Sequence, residues 1–240
     1  MTVAVSASAA APVHGRAHLV TVAHGTRDGS GSPVAEALTA AVGARLGVPA
    51  TASYVELAAP LLTDVLAAAT RMVVVVPLLL SSGLHVDSDV PEAVTVAPVP
   101  TALAAALGPS PLLADAMCDR LVEAGAGPGQ PVTMVAAGSR RPGSSADLAA
   151  AARMLGVLRG APVRVATLSG LGERPEDVVR PGDAVVPYLL APGFFARRCA
   201  ALARAAGATV VADVIGAHPA VVELVAHRAR VAPRSAVPAA

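Results

Sequence analysis

The chain has no tryptophan and no lysine, only two cysteines, and aromatic side chains at just 2% of its length. Cys118 and Cys199 stand far apart in stretches of helical spacing. That excludes a cysteine metal cluster or a disulfide-stapled scaffold and fits a reducing, cytoplasmic compartment. Long apolar runs are also missing. Mean hydropathy is high, at +0.62, yet the longest strongly apolar stretch, Met72 to Leu80, is nine residues and contains Pro77. A bilayer span needs about 20, so no membrane partner is expected. Residues 1–16 lack the basic start of a signal peptide and read as a flexible leader, and residues 231–240, with Pro233 and Pro238, as a flexible tail.

Net charge is only +1, which speaks against nucleic acid as a partner. Its distribution is uneven. Residues 1–125 hold 5 arginines against 10 acidic residues, whereas residues 126–240 hold 13 against 7. Every basic side chain is arginine, whose planar fork suits carboxylates.

What the sequence does contain is a repeat of itself. Val22-Ala23-His24-Gly25-Thr26-Arg27 matches Val135-Ala136-Ala137-Gly138-Ser139-Arg140 at an offset of 113. Val75-Val76-Pro77-Leu78-Leu79-Leu80 matches Val185-Val186-Pro187-Tyr188-Leu189-Leu190 at 110, and Gly83 falls on Gly193. Gly108-Pro109-Ser110-Pro111 matches Gly216-Ala217-His218-Pro219 at 108, as Arg120 does Arg228. Two homologous units follow, 17–125 and 126–230.

Each unit alternates strand and helix. In the first, strands are expected over Ala17–Ala23, Ala50–Leu57, Met72–Leu79 and Val94–Val99, with helices over Ser32–Leu46, Pro60–Ala69, from Asp89, and Pro111–Ala124. The β-branched run after Met72 is the pattern of a central parallel strand buried on both faces. Successive β–α units imply a doubly wound parallel sheet, in which ligands bind beyond the carboxyl ends of the strands.

His24, Glu56 and His85 all fall at those carboxyl ends. Two imidazoles and a carboxylate suit a borderline divalent metal such as Fe²⁺, Co²⁺ or Zn²⁺, and also the removal of protons from pyrrole-type nitrogens. The loop Gly25-Thr26-Arg27 lacks the glycine-rich fingerprint of nucleotide sites, so no nucleotide is expected. His14, His18 and His227 read as ordinary hydrogen-bonded residues, and His218, before Pro219, as a helix cap.

The runs HGTRD, YVELAAP, VVVVPLLLSSGLHVDSDVP and LGPSPLLADAMCDRL cover nearly all of residues 18–121. They resemble the successive motifs of the sirohydrochlorin chelatase family, ATP-independent enzymes that insert cobalt or iron in cobalamin or sirohaem synthesis. The second unit is similar to the degenerate second domain of the family's long members. The resemblance implies tandem Rossmann-like, chelatase-type α/β domains facing across a cleft, with the metal (Fe²⁺ or Co²⁺, with Ni²⁺ also open) as substrate. It implies His24 and His85 as the metal site and Glu56 as their acidic partner, either ligand or proton-transfer group. Thr26, Arg27, Ser82 and Gly83 are expected at the tetrapyrrole. Asp87 and Asp89 either orient His85 from behind or, for Asp89, simply cap a helix. A carrier of metal or tetrapyrrole with the same ligands is the alternative reading.

The repeat acts as an internal control, since His24, Glu56 and His85 map to Ala137, Ser169 and Phe195. All three reactive groups are absent from the second copy while its scaffold glycines and prolines persist. One active site, in the first unit, is expected. A monomer is expected as well, because the repeat supplies both halves. Arg140 and Arg141, with Arg197 and Arg198, fall at the rim of the degenerate site, where they either hold substrate carboxylates or are solvated. With so few aromatic residues, the macrocycle is expected to lie between aliphatic walls.

Overall fold

The computed structural model describes residues 17–26, 32–81 and 88–233. The first half runs β1 (His18–Ala23), α1 (Ser32–Leu46), β2 (Ala50–Tyr54), α2 (Leu62–Ala67), β3 (Val73–Pro77), α3 (Val90–Thr95), β4 (Thr101–Leu103), α4 (Pro111–Glu123). The second runs β5 (Val132–Ala136), α5 (Pro142–Arg159), β6 (Val163–Thr167), α6 (Pro175–Val178), β7 (Ala184–Tyr188), α7 (Phe194–Ala205), β8 (Val210–Val211), α8 (Pro219–Val231). The strands form two parallel sheets, ordered β2-β1-β3-β4 and β6-β5-β7-β8. One order becomes the other on adding four, so the sequence repeat is a repeat of fold.

The valine runs are uninterrupted because both faces of each sheet are covered. Leu19, Val74 and Val76 point inward to a core shared with α1 and α8, while Val20, Val22, Val73 and Val75 point outward to α2 and α3. Likewise Val132, Met134 and Val186 enter the shared core, and Val135 and Val185 pack outward with Cys199 and Ala203 of α7. Each fully buried valine contributes about 1.5–3 kcal/mol. Burial also pushes the Cys199 thiol up to about 12, so it stays protonated as a small core residue.

The shared core is closed by an exchange of helices. Helix α4 packs on α5 and β7 of the second half, α8 packs on α1 and β3 of the first, and the two pack on each other. Neither makes a comparable contact with the sheet it follows in sequence.

Three sequence expectations are corrected. Val94–Val99 is not a strand. Helix α3 continues to Thr95, and the fourth strand starts only at Thr101, after Pro98 and Pro100. Prolines lack the amide a ladder needs, which outweighs the valine content of that stretch. Pro60 does not open α2, because its carbonyl accepts the Tyr54 amide at 3.0 Å, and the helix begins at Leu62. Asp89 occupies the N-cap position of α3 but does not cap it with its side chain. Its backbone is already helical (φ −64°, ψ −44°), and its side chain makes no capping bond. His218, by contrast, does cap α8, its Nδ1 accepting the Ala220 amide at 3.2 Å.

Candidate functional site

Strand β1 lies between β2 and β3, so the segments leaving the carboxyl ends of all three emerge along one edge. Pairing continues past the strand ends: the Val55 amide donates to the Ala23 carbonyl (2.9 Å) and the Glu56 amide to the His24 carbonyl (3.1 Å). This zipper sets the two side chains next to each other. His24 Nε2 stands 3.6 Å from Glu56 Oε1, each side chain about half exposed (50% and 51%).

Gly25 is required by this contact. Its φ is +97°, and a Cβ there would fall 1.8 Å from the Glu56 carbonyl oxygen. On the other side, Leu57 takes a left-handed φ of 64°, and the Ala58 amide bonds back to the Glu56 carbonyl at 2.8 Å. A three-residue turn of this hand is strained, and such strain gathers at functional positions. Thr26 follows at the same rim. Its Oγ1 is buried and bonds to no described residue, an arrangement that costs energy unless a ligand satisfies it.

The second half repeats the frame without the chemistry. The Leu168 amide donates to the Ala136 carbonyl (2.9 Å), as Val55 does to Ala23. Gly138, at φ +89°, would place a Cβ 1.9 Å from the Ser169 carbonyl oxygen. In place of the imidazole–carboxylate pair, the Ser169 hydroxyl donates to the Ala137 carbonyl at 2.7 Å. Arg174 then ties the loop shut, donating to the carbonyls of Thr167 (3.0 Å) and Gly170 (2.8 Å).

The edges of the two sheets adjoin. The Tyr188 hydroxyl, at the end of β7, donates to the Leu80 carbonyl, three residues past β3, at 2.9 Å. Burial raises the Tyr188 pKa further above its ordinary value, keeping it a donor. Gly108 makes room for the pair, since a Cβ there would fall 2.0 Å from the Leu80 oxygen and 2.3 Å from the Tyr188 hydroxyl. Nothing in the sequence marks this junction beyond the rarity of tyrosine, which occurs twice.

Arg140 and Arg141 lie exposed between β5 and α5, and Arg197 and Arg198 lie exposed in the first turns of α7. Because β5 and β7 are parallel neighbours, both pairs sit on the edge that Tyr188 joins to the first half. Neither helix has an acidic residue in its first turn. Cations beside a helix N-terminus oppose its dipole, so both features favour an anion there instead.

His85, with Arg27, Ser82, Gly83 and Asp87, lies outside the described residues. Among the described residues no three His, Cys, Asp or Glu side chains cluster closely enough to hold a metal. Nor is any helix among them long and apolar enough to cross a membrane.

The sequence profile of the CbiX family matches residues 18–124 and again 131–232. Among solved structures, SirB from Bacillus subtilis with Fe³⁺ superposes with a TM-score of 0.73 at 24% identity, covering 90% of this chain and 94% of that one. The sirohydrochlorin chelatase SirB from Bacillus subtilis subspecies spizizenii in complex with cobalt does so with the same score and coverage at 23% identity. CbiX, described as the terminal enzyme for biosynthesis of siroheme in denitrifying bacteria, gives a TM-score of 0.65 at 16% identity, covering 89% of this chain and 97% of that one. At these identities the likeness is one of fold. No curated protein matches the chain.

Proposed function

The chain belongs to the CbiX family, and from that membership we propose that it inserts a divalent metal ion, Fe²⁺ or Co²⁺, into sirohydrochlorin without ATP. The observation that carries the reading is the His24–Glu56 pair at 3.6 Å, held by Gly25 on a rim whose second copy has lost both groups while keeping the frame. Insertion exchanges two pyrrole protons for one metal ion, so the site must both receive a cation and accept protons. A neutral imidazole does either, and a neighbouring carboxylate orients the imidazole and passes its proton on.

We assign metal capture and proton acceptance to His24 together with His85, and proton relay or metal delivery to Glu56. The donor set of two imidazoles and one carboxylate suits iron, cobalt and nickel alike. The relatives with Fe³⁺ and with cobalt support iron and cobalt within that set. Thr26 and the residues 82–83 would meet the macrocycle. Arg140, Arg141, Arg197 and Arg198 would hold its peripheral carboxylates from the opposite wall. Charge-assisted bonds of that kind contribute roughly 1.5–3 kcal/mol each when shielded from water.

Turnover of sirohydrochlorin with Fe²⁺ or Co²⁺ at substoichiometric protein tests the reading, followed by the change in the macrocycle's absorption. His24→Ala, Glu56→Gln and His85→Ala should each slow insertion by about 10²–10⁴-fold with the circular dichroism unchanged. Uptake that stops at one equivalent would make the protein a carrier. Wild-type rates in His24→Ala would refute the site.

A further inference from the structure

The chain has two phenylalanines, and they are neighbours at the start of α7. Their ring centroids lie 5.5 Å apart with the planes at 70°, edge to face. Both are exposed, Phe194 at 61% and Phe195 at 38%. Helix α7 does not need them for its packing, because Cys199 and Ala203 are its buried residues. A protein so poor in aromatics thus leaves both of its phenylalanines reaching solvent, Phe194 with most of its surface and Phe195 with over a third.

Their position in the chain puts them on the carboxyl edge of the second sheet. They follow β7 directly, and in the sequence repeat Phe195 is the counterpart of His85. Arg197 and Arg198 come next on the same helix, and Arg140 and Arg141 leave the adjacent strand on the same edge. The Tyr188–Leu80 bond joins that edge to the segment leading toward His85. An edge-to-face pair presents one ring face and one ring edge to a flat ligand. Guanidinium groups around such a surface favour anions on the ligand's periphery.

We propose that Phe194 and Phe195 form the seat on which the flat face of the tetrapyrrole rests, with the neighbouring arginines taking its rim carboxylates. The degenerate half then positions the macrocycle for the metal site on the other edge. This departs from the expectation of purely aliphatic walls, and it rests on the chelatase reading above.

The test is a titration of metal-free sirohydrochlorin into the full-length chain, read by the macrocycle's own absorption and fluorescence. Phe194→Ala with Phe195→Ala should weaken binding by about 10-fold or more, the scale of losing an aromatic stacking surface. Phe195→Tyr, which keeps the ring, should bind like wild type. In turnover the double variant should show a raised KM with kcat nearly unchanged, and Co²⁺ binding in the absence of sirohydrochlorin should not move. A double alanine variant that binds metal-free sirohydrochlorin as tightly as wild type, in a protein that still inserts metal, overturns the seat alone. A wild-type chain that neither binds sirohydrochlorin nor metallates it overturns the chelatase reading, and the seat with it.

Discussion

Arg120 and Arg228 make the same bond in opposite directions across the two halves. Arg120, on α4, donates through Nε (3.2 Å) and Nη2 (3.1 Å) to the Ile215 carbonyl. Arg228, on α8, donates through Nη2 to the Leu107 carbonyl at 3.4 Å. Donors and acceptors alike are repeat counterparts, so the pair marks the pseudo-twofold axis of the molecule. The two ends are unequal, since Arg120 also reaches Glu123 at 2.6 Å whereas the buried Nε of Arg228 has no partner among the described residues. Arg120→Ala should therefore destabilise the fold by about 1–3 kcal/mol, the scale for an acceptor left buried and unpaired. Arg228→Ala should cost less. Urea denaturation of both variants decides it, and the reverse order would contradict this geometry.

Gly25→Ala should disable the site without touching a reactive group. Its Cβ would collide with the Glu56 carbonyl, and pushing β1 and β2 apart there separates His24 from Glu56. We expect at least about a 10²-fold loss of turnover, as misplacing a catalytic group gives. Gly138→Ala makes the equivalent collision with Ser169 in the second half and should lower stability while leaving far more activity. Equal turnover in the two variants would show that the loop after β1 tolerates the shift.

Much of this was legible in the sequence, for identifiable reasons. The repeat, the two-faced valine run of β3 and the glycine after each first strand are local signals, and each has the structural meaning expected of it. Val94–Val99 was misleading because valine content speaks for a strand while Pro98 and Pro100 forbid one, and only the paired ladder shows which prevails. The Tyr188–Leu80 junction joins residues 108 positions apart through a backbone carbonyl, which no residue pattern announces. The helix exchange was hidden for a similar reason. An amphipathic pattern tells α4 to bury one face but not which sheet will cover it.

Arg140→Ala combined with Arg197→Ala should raise the KM for sirohydrochlorin by about 10-fold or more, given charge-assisted bonds of about 1.5–3 kcal/mol each. Metal affinity should hardly change. The difference from wild type should shrink as salt is raised, because screening weakens the same attraction in the intact protein. A KM that stays at the wild-type value would leave these arginines as solvated surface charges.

His18 gives the fold a pH dependence of its own. Its Nε2 pairs with the Thr51 hydroxyl at 2.9 Å, and burial, reinforced by Arg71, lowers its pKa below the ordinary 6.5. The unfolded chain therefore takes up the proton first. The contribution of His18 is complete above 6.5 and is lost as pH falls from there through the lower folded value. Melting temperatures between about pH 7.5 and pH 5.5 should drop less in His18→Gln than in wild type. Identical slopes would mean that His18 titrates alike in both states.

The exchange of α4 and α8 makes each half incomplete alone. A fragment ending near residue 125 would carry α4 with no second sheet to cover, and its own inner face would lack α8. A half-length chain of this design could close its core only by trading terminal helices with a second copy of itself, an association that dilution would undo. Joining two such copies on one polypeptide makes that trade intramolecular and independent of concentration. It also separates two obligations that a single copy must meet at once. The second half can give up its imidazole and carboxylate, provided α8 still reaches back to cover β3.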